Sequence, residues 1–231
     1  IGDVKGKDVY CSYSVPAESI DNERTITYHE KVFSQIFNSL GINNTSINEA
    51  AAIIYSDAAA EKFSGIGTSF GAGMVNSCVL YHGIEALKFS TARSGDWVDK
   101  SVAESLNIVQ NRVTSIKEKM FSLETDYKLE PDKKKRRILE ALGYFYENLV
   151  NYTIKKMIKE FEDKVEIEID EAVPFIIAGG TSMVPGFINL FKSVIANYKL
   201  PFEISEIRHA KNPLTAVSSG LLIKTMSDVG K

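Results

Sequence analysis

Hydrophobic residues in this chain recur with two periods, and the switches between them mark out alternating strands and helices. Val9 to Val15 (VYCSYSV) reads as a strand stopped by Pro16. From Tyr28 to Leu40 the period becomes helical. Val32, Phe33, Ile36, Phe37 and Leu40 share one face, and Gly41 stands where a C-cap belongs. A second helix is predicted over Ile47 to Tyr55, with Asn48 as its N-cap and a run of alanines that lets a neighbour approach closely. Phe63 to Gly83 holds two strand-like pieces around Gly71-Ala72-Gly73, and Ile84 to Ser90 is a further strand. Ser101 to Leu123 reads as mostly helical. A long helix follows the cationic run Lys133 to Arg137, with Ile138, Leu142, Phe145, Leu149, Ile154 and Phe161 on one face. The apolar run Ala172 to Ala178 ends in Gly179-Gly180, and a helical pattern resumes at Phe187. Pro201 to Ile207 reads as a short strand, Lys211 to Leu221 as a helix with Pro213 in its first turn, and Ser227 to Lys231 as a frayed end.

Composition narrows the classes open to this pattern. The chain has 231 residues, enough for one large or two small domains. Apolar content of 44% and charged content of 25% suit a soluble globular protein. A net charge of −3 gives no global pull toward nucleic acid or anionic membrane. There is no apolar run near the length of about 18 residues that a spanning helix needs, and no leader-like pattern. Cys11 and Cys78 sit in strand-like runs, so free buried thiols and a reducing cytoplasm are expected. His29, His82 and His209 are scattered without metal-ligand spacing. The first residue is Ile1 rather than methionine, which leads us to expect a piece of something longer.

One charge feature bears on partners. The five cations Lys133 to Arg137 stand at a predicted helix start, where they oppose the helix dipole. They read either as a contact for an anion, an acidic partner or nucleic acid, or as a solvated end paired with Glu124, Asp126 and Glu130.

The stretch Ile167 to Leu190, IEIDEAVPFIIAGGTSMVPGFINL, is the one around which the rest is organised. It reads as buried strand, glycine turn and helix start. Such a turn brings backbone close to a ligand and offers unpaired N–H groups to an anion or a sugar. Its core, AGGTSMVPGF, resembles the adenosine-binding motif of the actin-like ATPase superfamily, which includes actin, MreB, FtsA, sugar kinases and the DnaK-type chaperones. INEAAAIIYSDA, from Ile47 to Ala58, resembles that superfamily's first connecting helix, and SVPAES the preceding strand end. Lys211 to Leu221 resembles its second connecting helix.

What the resemblance implies can be set residue by residue. Gly179, Gly180, Thr181 and Ser182 would form the adenosine turn. Gly71, Ala72 and Gly73 would form the backbone cradle of the second phosphate hairpin. Ser69 stands where that hairpin usually carries an aspartate, Met74 and Val75 replace threonines, and Asn76 replaces a second acidic residue. Gly95 and Asp96 match a Gly-Asp turn near the phosphates, with Ser94 or Asp96 also serving as a helix N-cap. Lys117, in Ser115 to Lys119, matches a helix that lends a lysine to the adenosine, or else belongs to a solvated charged face. The first phosphate hairpin has no counterpart in the sequence.

The implied fold is α/β, the ribonuclease H-like actin and chaperone ATPase fold, with a mixed sheet, flanking helices and a helical insertion. Residues 1–60 would be the remainder of a first actin-like domain. Residues 61–212 would be the second, with the insertion at about 104–166, and 213–231 a helix returning to the first. The implied cofactors are ATP or ADP with Mg²⁺, and the implied action is nucleotide-dependent domain closure, with self-association into filaments or an unknown protein partner. Hydrolysis is in doubt because Ser69 is not acidic, so a non-hydrolysing scaffold stands as the alternative. A remote rival is a serine hydrolase using Gly67-Thr68-Ser69-Phe70-Gly71, with Asp170 and His209 following in chain order. That motif needs a helix directly after the turn, whereas Met74 to Tyr81 has strand character.

Overall fold

The strand β6 (Val173–Ala178) divides its side chains between two cores, and this sets the layering of the larger sheet. Val173, Phe175 and Ile177 enter one core, Ile176 and Ala178 the other, and every residue of the strand is buried. The computed structural model describes residues 8–21 and 27–230. Around β6 run β3 (Gly65–Phe70), β4 (Val75–Tyr81), β5 (Ile84–Thr91) and β7 (Ile204–His209), in the order β5-β4-β3-β6-β7. β3 to β5 form an antiparallel meander, while β3, β6 and β7 are parallel. A second sheet pairs β1 (Tyr10–Val15) in parallel with β2 (Asn43–Asn48). This is the predicted mixed-sheet α/β architecture.

Helices cover both faces of the larger sheet. On one side lie α3 (Gly95–Leu106), α4 (Gln110–Met120), α5 (Lys133–Lys164) and α6 (Phe187–Ile195). Phe70, Phe187 and Phe191 form an edge-to-face cluster there, continued by Phe175 and Tyr146. On the other side lie α2 (Glu49–Asp57) and α7 (Ala216–Val229). Asn48 caps α2 as expected, accepting from the N–H groups of Ala50 and Ala51 at 2.9 and 3.2 Å. α2 touches both sheets and α7 touches β1, so this pair of helices is the joint between them. They cross very closely: a Cβ on Gly220 would stand 1.7 Å from the carbonyl oxygen of Ala52. Arg208 and the N–H of Lys211 lock the end of α2 to β7, both on Asp57, at 3.2 and 2.7 Å.

Several local expectations change in three dimensions. β2 was not legible, because Asn43-Asn44-Thr45-Ser46-Ile47-Asn48 has one apolar residue; it is a strand through its register with β1. α1 (Thr27–Ser39) forms where the period placed it, but Phe33, Ile36 and Leu40 on its apolar face are exposed. The helix predicted over Ser101 to Leu123 is two helices, broken at Asn107, whose left-handed φ of 51° ends α3. Pro213 lies in the turn before α7, and α7 continues to Val229 instead of fraying at Ser227. The cations Lys133 to Arg137 belong to α5 itself, and none of them pairs with Glu124, Asp126 or Glu130. The nucleophile-elbow reading fails. β4 stands where the helix is required, the His209 ring lies 3.0 Å from the Ser182 carbonyl oxygen, and Asp170 accepts from the Tyr81 hydroxyl.

The α2–α7 crossing yields a direct test. Gly220→Ala forces the backbones apart and is expected to destabilise the fold by about 2–3 kcal/mol, a fall in Tm of about 5 °C or more. Thermal and urea melts read this, and an unchanged Tm would show that the crossing is looser than described.

Candidate functional site

Three segments far apart in sequence meet at the carbonyl oxygen of Gly71. The N–H of Gly95, at the start of α3, donates to it at 3.1 Å, and the Thr181 hydroxyl donates to it at 2.9 Å. Next to it the Asp96 N–H donates to the Ala72 carbonyl at 2.8 Å. The hairpin turn after β3, the first turn of α3 and the glycine turn after β6 are thus one structure. The predicted site residues Gly71, Ala72, Gly73, Gly95, Asp96, Gly179, Gly180, Thr181 and Ser182 fall in these three segments. Ser69 lies on β3 beside them, directly alongside Ala178 of β6.

The sequence dictates how tightly they fit. Gly179 takes φ +94°, and a Cβ there would lie 2.4 Å from the Phe70 carbonyl oxygen. The chain then enters a short 3₁₀ turn, Gly180–Met183, in which the Ser182 hydroxyl donates to the Gly179 carbonyl at 2.7 Å. Beyond it, Leu123 donates its N–H to the Pro185 carbonyl at 2.9 Å, which brings the end of α4 alongside the glycine turn.

Not all backbone donors here are free. The N–H of Gly71 is closed onto Met74, and those of Gly95 and Asp96 onto the hairpin, so α3 is capped by carbonyls and not by the side chain of Ser94. The N–H groups of Ala72 and Gly73, at the exposed tip, have no acceptor among the described residues. A Cβ at Gly73 or Gly180 would meet nothing within 4 Å, so space lies open above both turns. Donors at an open tip and a glycine turn beside it fit an anionic group with an attached ring.

Lys117 is differently placed. Its Nζ lies 2.8 Å from Oδ1 of the buried Asp99 on α3, and Thr114 donates to Oδ2 of the same carboxylate at 2.7 Å. The lysine is therefore held by the protein, tying α4 to α3 below the Gly95 turn.

Sequence reasoning passed over one carboxylate. Asn76, opposite Ser69 in the hairpin register, donates its side-chain N–H to Glu49 at 3.2 Å and accepts from the Ala17 N–H at 3.1 Å. Opposed residues of an antiparallel pair share a face, so Ser69 and Asn76 both face α2 and its first residue, Glu49. Burial holds the Glu49 carboxyl above the usual carboxylate range. The signal was present in the Asn48-Glu49 pair at the head of the first connecting helix. A cavity of about 680 Å³ is lined by Val15 to Ile20, Asn48, Tyr55, Glu85 and Lys88, and adjoins Asn76 through Ala17.

A raised carboxyl pKa means that the folded protein binds the Glu49 proton more tightly than the unfolded chain does. The associated stability is complete below the unfolded value of about 4.3 and is lost as pH rises through the folded value. Glu49→Gln is therefore expected to gain stability relative to wild type between pH 4 and pH 7, read from paired urea melts. A difference that does not change with pH would show that Glu49 is not desolvated. Gly179→Ala is expected to destabilise by about 3 kcal/mol, from strain and overlap together, on the same assay.

With this geometry in view, comparison with solved structures is informative. The MamK double helical filament gives a TM-score of 0.70 at 16% identity, over 94% of this chain and 68% of that one. MreB 5 of Spiroplasma citri, bound to AMPPNP, gives 0.67 at 13% identity, over 98% and 70%. Ethanolamine utilization protein EutJ from Carboxydothermus hydrogenoformans gives 0.57 at 16% identity, over 94% and 67%. The chain thus spans about two thirds of each, and the fold is the actin-like one. No curated protein matches the sequence. Among the described residues no helix is long and apolar enough to cross a membrane. The Volactin family model matches residues 1–225, and the chain belongs to that family.

Proposed function

We propose that this chain is the greater part of a nucleotide-binding actin-like protein that closes two domains around ATP or ADP and self-associates. The observation that carries the reading is the meeting of the hairpin, the Gly95 turn and the glycine turn on one carbonyl oxygen, that of Gly71. Ala72 and Gly73 would give N–H groups to phosphate oxygens, and Gly179 to Ser182 would take the adenosine. Asp96, exposed at the edge of the same cluster, would face the phosphates through solvent. Lys117 would contribute indirectly, by fixing α4 through Asp99. MreB 5 and a non-polymerising MamK mutant were each solved bound to AMPPNP, which supports a nucleotide at the corresponding place.

In this reading residues 1–60 belong to one domain, 61–212 to the other with an insertion at about 104–166, and 213–231 return to the first. The α2–α7 crossing would then be the joint about which they close. Among the described residues no group of three His, Cys, Asp or Glu side chains could hold a metal ion. Mg²⁺ would come with the phosphates of the nucleotide. Glu49 supplies the carboxylate missing at Ser69. Its raised pKa and its hydrogen bond from Asn76 suit a group that orients water and accepts its proton. The competing reading, a non-hydrolysing scaffold, is favoured by the neutral Ser69 and Asn76 in the hairpin itself.

Calorimetry and thermal shift with ATP, followed on the same sample by phosphate release, separate these readings. The expected result is stabilisation by ATP, with slow release that Glu49→Ala reduces by about 100-fold while leaving binding intact. Binding without release would support the scaffold. No binding at millimolar ATP would overturn the nucleotide reading.

A further inference from the structure

At both ends of α5 the side-chain charge opposes the helix dipole. A helix N-terminus is partly positive and a C-terminus partly negative, yet α5 begins with Lys133, Lys134, Lys135, Arg136 and Arg137. Its last two turns carry Glu160, Glu162 and Asp163 against Lys159 and Lys164, and the acidic excess continues through Glu166, Glu168, Asp170 and Glu171.

Neither cluster is matched by ion pairs among the described residues. The acids nearest the basic end serve as backbone caps: Asp132 accepts from the N–H groups of Lys134 and Lys135, Glu130 from that of Asp132, and Asp126 from that of Lys128. None of the five cations forms an ion pair among the described residues. At the other end Glu160 pairs with Lys164 and Asp170 accepts from Tyr81. Glu162, Asp163, Glu166, Glu168 and Glu171 are exposed, and none of them forms an ion pair among the described residues, with Lys155 and Lys159 higher on the helix or with any other group. The 32 residues of α5 span about 48 Å, against a screening length of about 8 Å in physiological salt. The two ends therefore cannot compensate one another inside a single copy.

We propose that the basic start and the acidic end of α5 are the two halves of a head-to-tail contact between copies of this chain. Lys133 to Arg137 of one copy would meet Glu162 to Glu171 of the next. Such a contact joins two different patches, leaves one of each free at the ends of the assembly, and so propagates instead of closing. The inference rests on the self-association part of the reading above and is independent of nucleotide binding.

The test is a reciprocal charge swap in the full chain. One variant carries Lys133→Glu, Lys134→Glu and Arg137→Glu, which turns the basic start net negative; the other carries Glu162→Lys, Asp163→Lys, Glu166→Lys and Glu168→Lys, which turns the acidic end net positive. Assembly is followed by light scattering and sedimentation, with ATP binding measured in parallel. Wild type is expected to form open-ended assemblies whose critical concentration rises about ten-fold between about 50 and 300 mM salt. Each variant alone should lose assembly. An equimolar mixture should regain it, because every junction between unlike copies is again between opposite charges. The variant with the acidic start should melt no lower than wild type, since acids suit a helix start; this separates lost assembly from lost folding. The proposal is overturned if wild type stays monomeric at low salt or stops at two copies. It is also overturned if either variant assembles like wild type, or if the mixture does not recover. Intact assembly without ATP binding would instead remove the nucleotide reading and leave this one standing.

Discussion

A single carbonyl oxygen, that of Gly71, accepts hydrogen bonds from two segments that the chain reaches 24 and 110 residues later, at Gly95 and Thr181. A carbonyl has two lone pairs, and here both are used. The bond from Gly95 fixes where α3 begins, and the bond from Thr181 fixes where the glycine turn of β6 lies. Gly179 is the condition for the second bond. Any side chain there would meet the Phe70 carbonyl and push the turn, with Thr181 on it, away from the hairpin. The aromatic cluster of Phe70, Phe187 and Phe191 lies directly beneath, so the same few residues anchor both the core and the candidate site.

Close approach recurs as the means by which this chain makes rigid joints. α2 is rich in alanine where it meets β3 and α7, and Gly220 brings α7 to within backbone contact of Ala52. An interface of this kind has little room for side-chain rearrangement. Glu49 heads the same helix, so the carboxylate that accepts from Asn76 of the hairpin is mounted on this joint.

Much of the candidate site is legible in the sequence. The adenosine-like turn, the hairpin glycines and the Gly95-Asp96 turn are contiguous stretches whose residue types carry local backbone requirements, and such requirements survive in a linear reading. The structure brings these stretches together on the Gly71 carbonyl. Glu49 and Asn76 were harder to see, because their pairing joins a helix start to a strand 27 residues away. The ion pair of Lys117 with Asp99 was hidden for the same reason: Lys117 reads as one of several charges on a helix face until α3 is placed beside it.

Periodicity and glycine placement alone determined that this chain alternates strands and helices, that β6 is doubly buried, and that turns occur at Gly71 and Gly179. These are consequences of local sterics and of which side chains avoid water. Tertiary structure alone decided that the polar Asn43 to Asn48 segment is a strand, that α1 leaves part of its apolar face exposed, and that the five cations at the start of α5 form no ion pair among the described residues. Each depends on what lies opposite in space: a register partner for β2, what the described residues place over α1, and caps that engage the acids before α5.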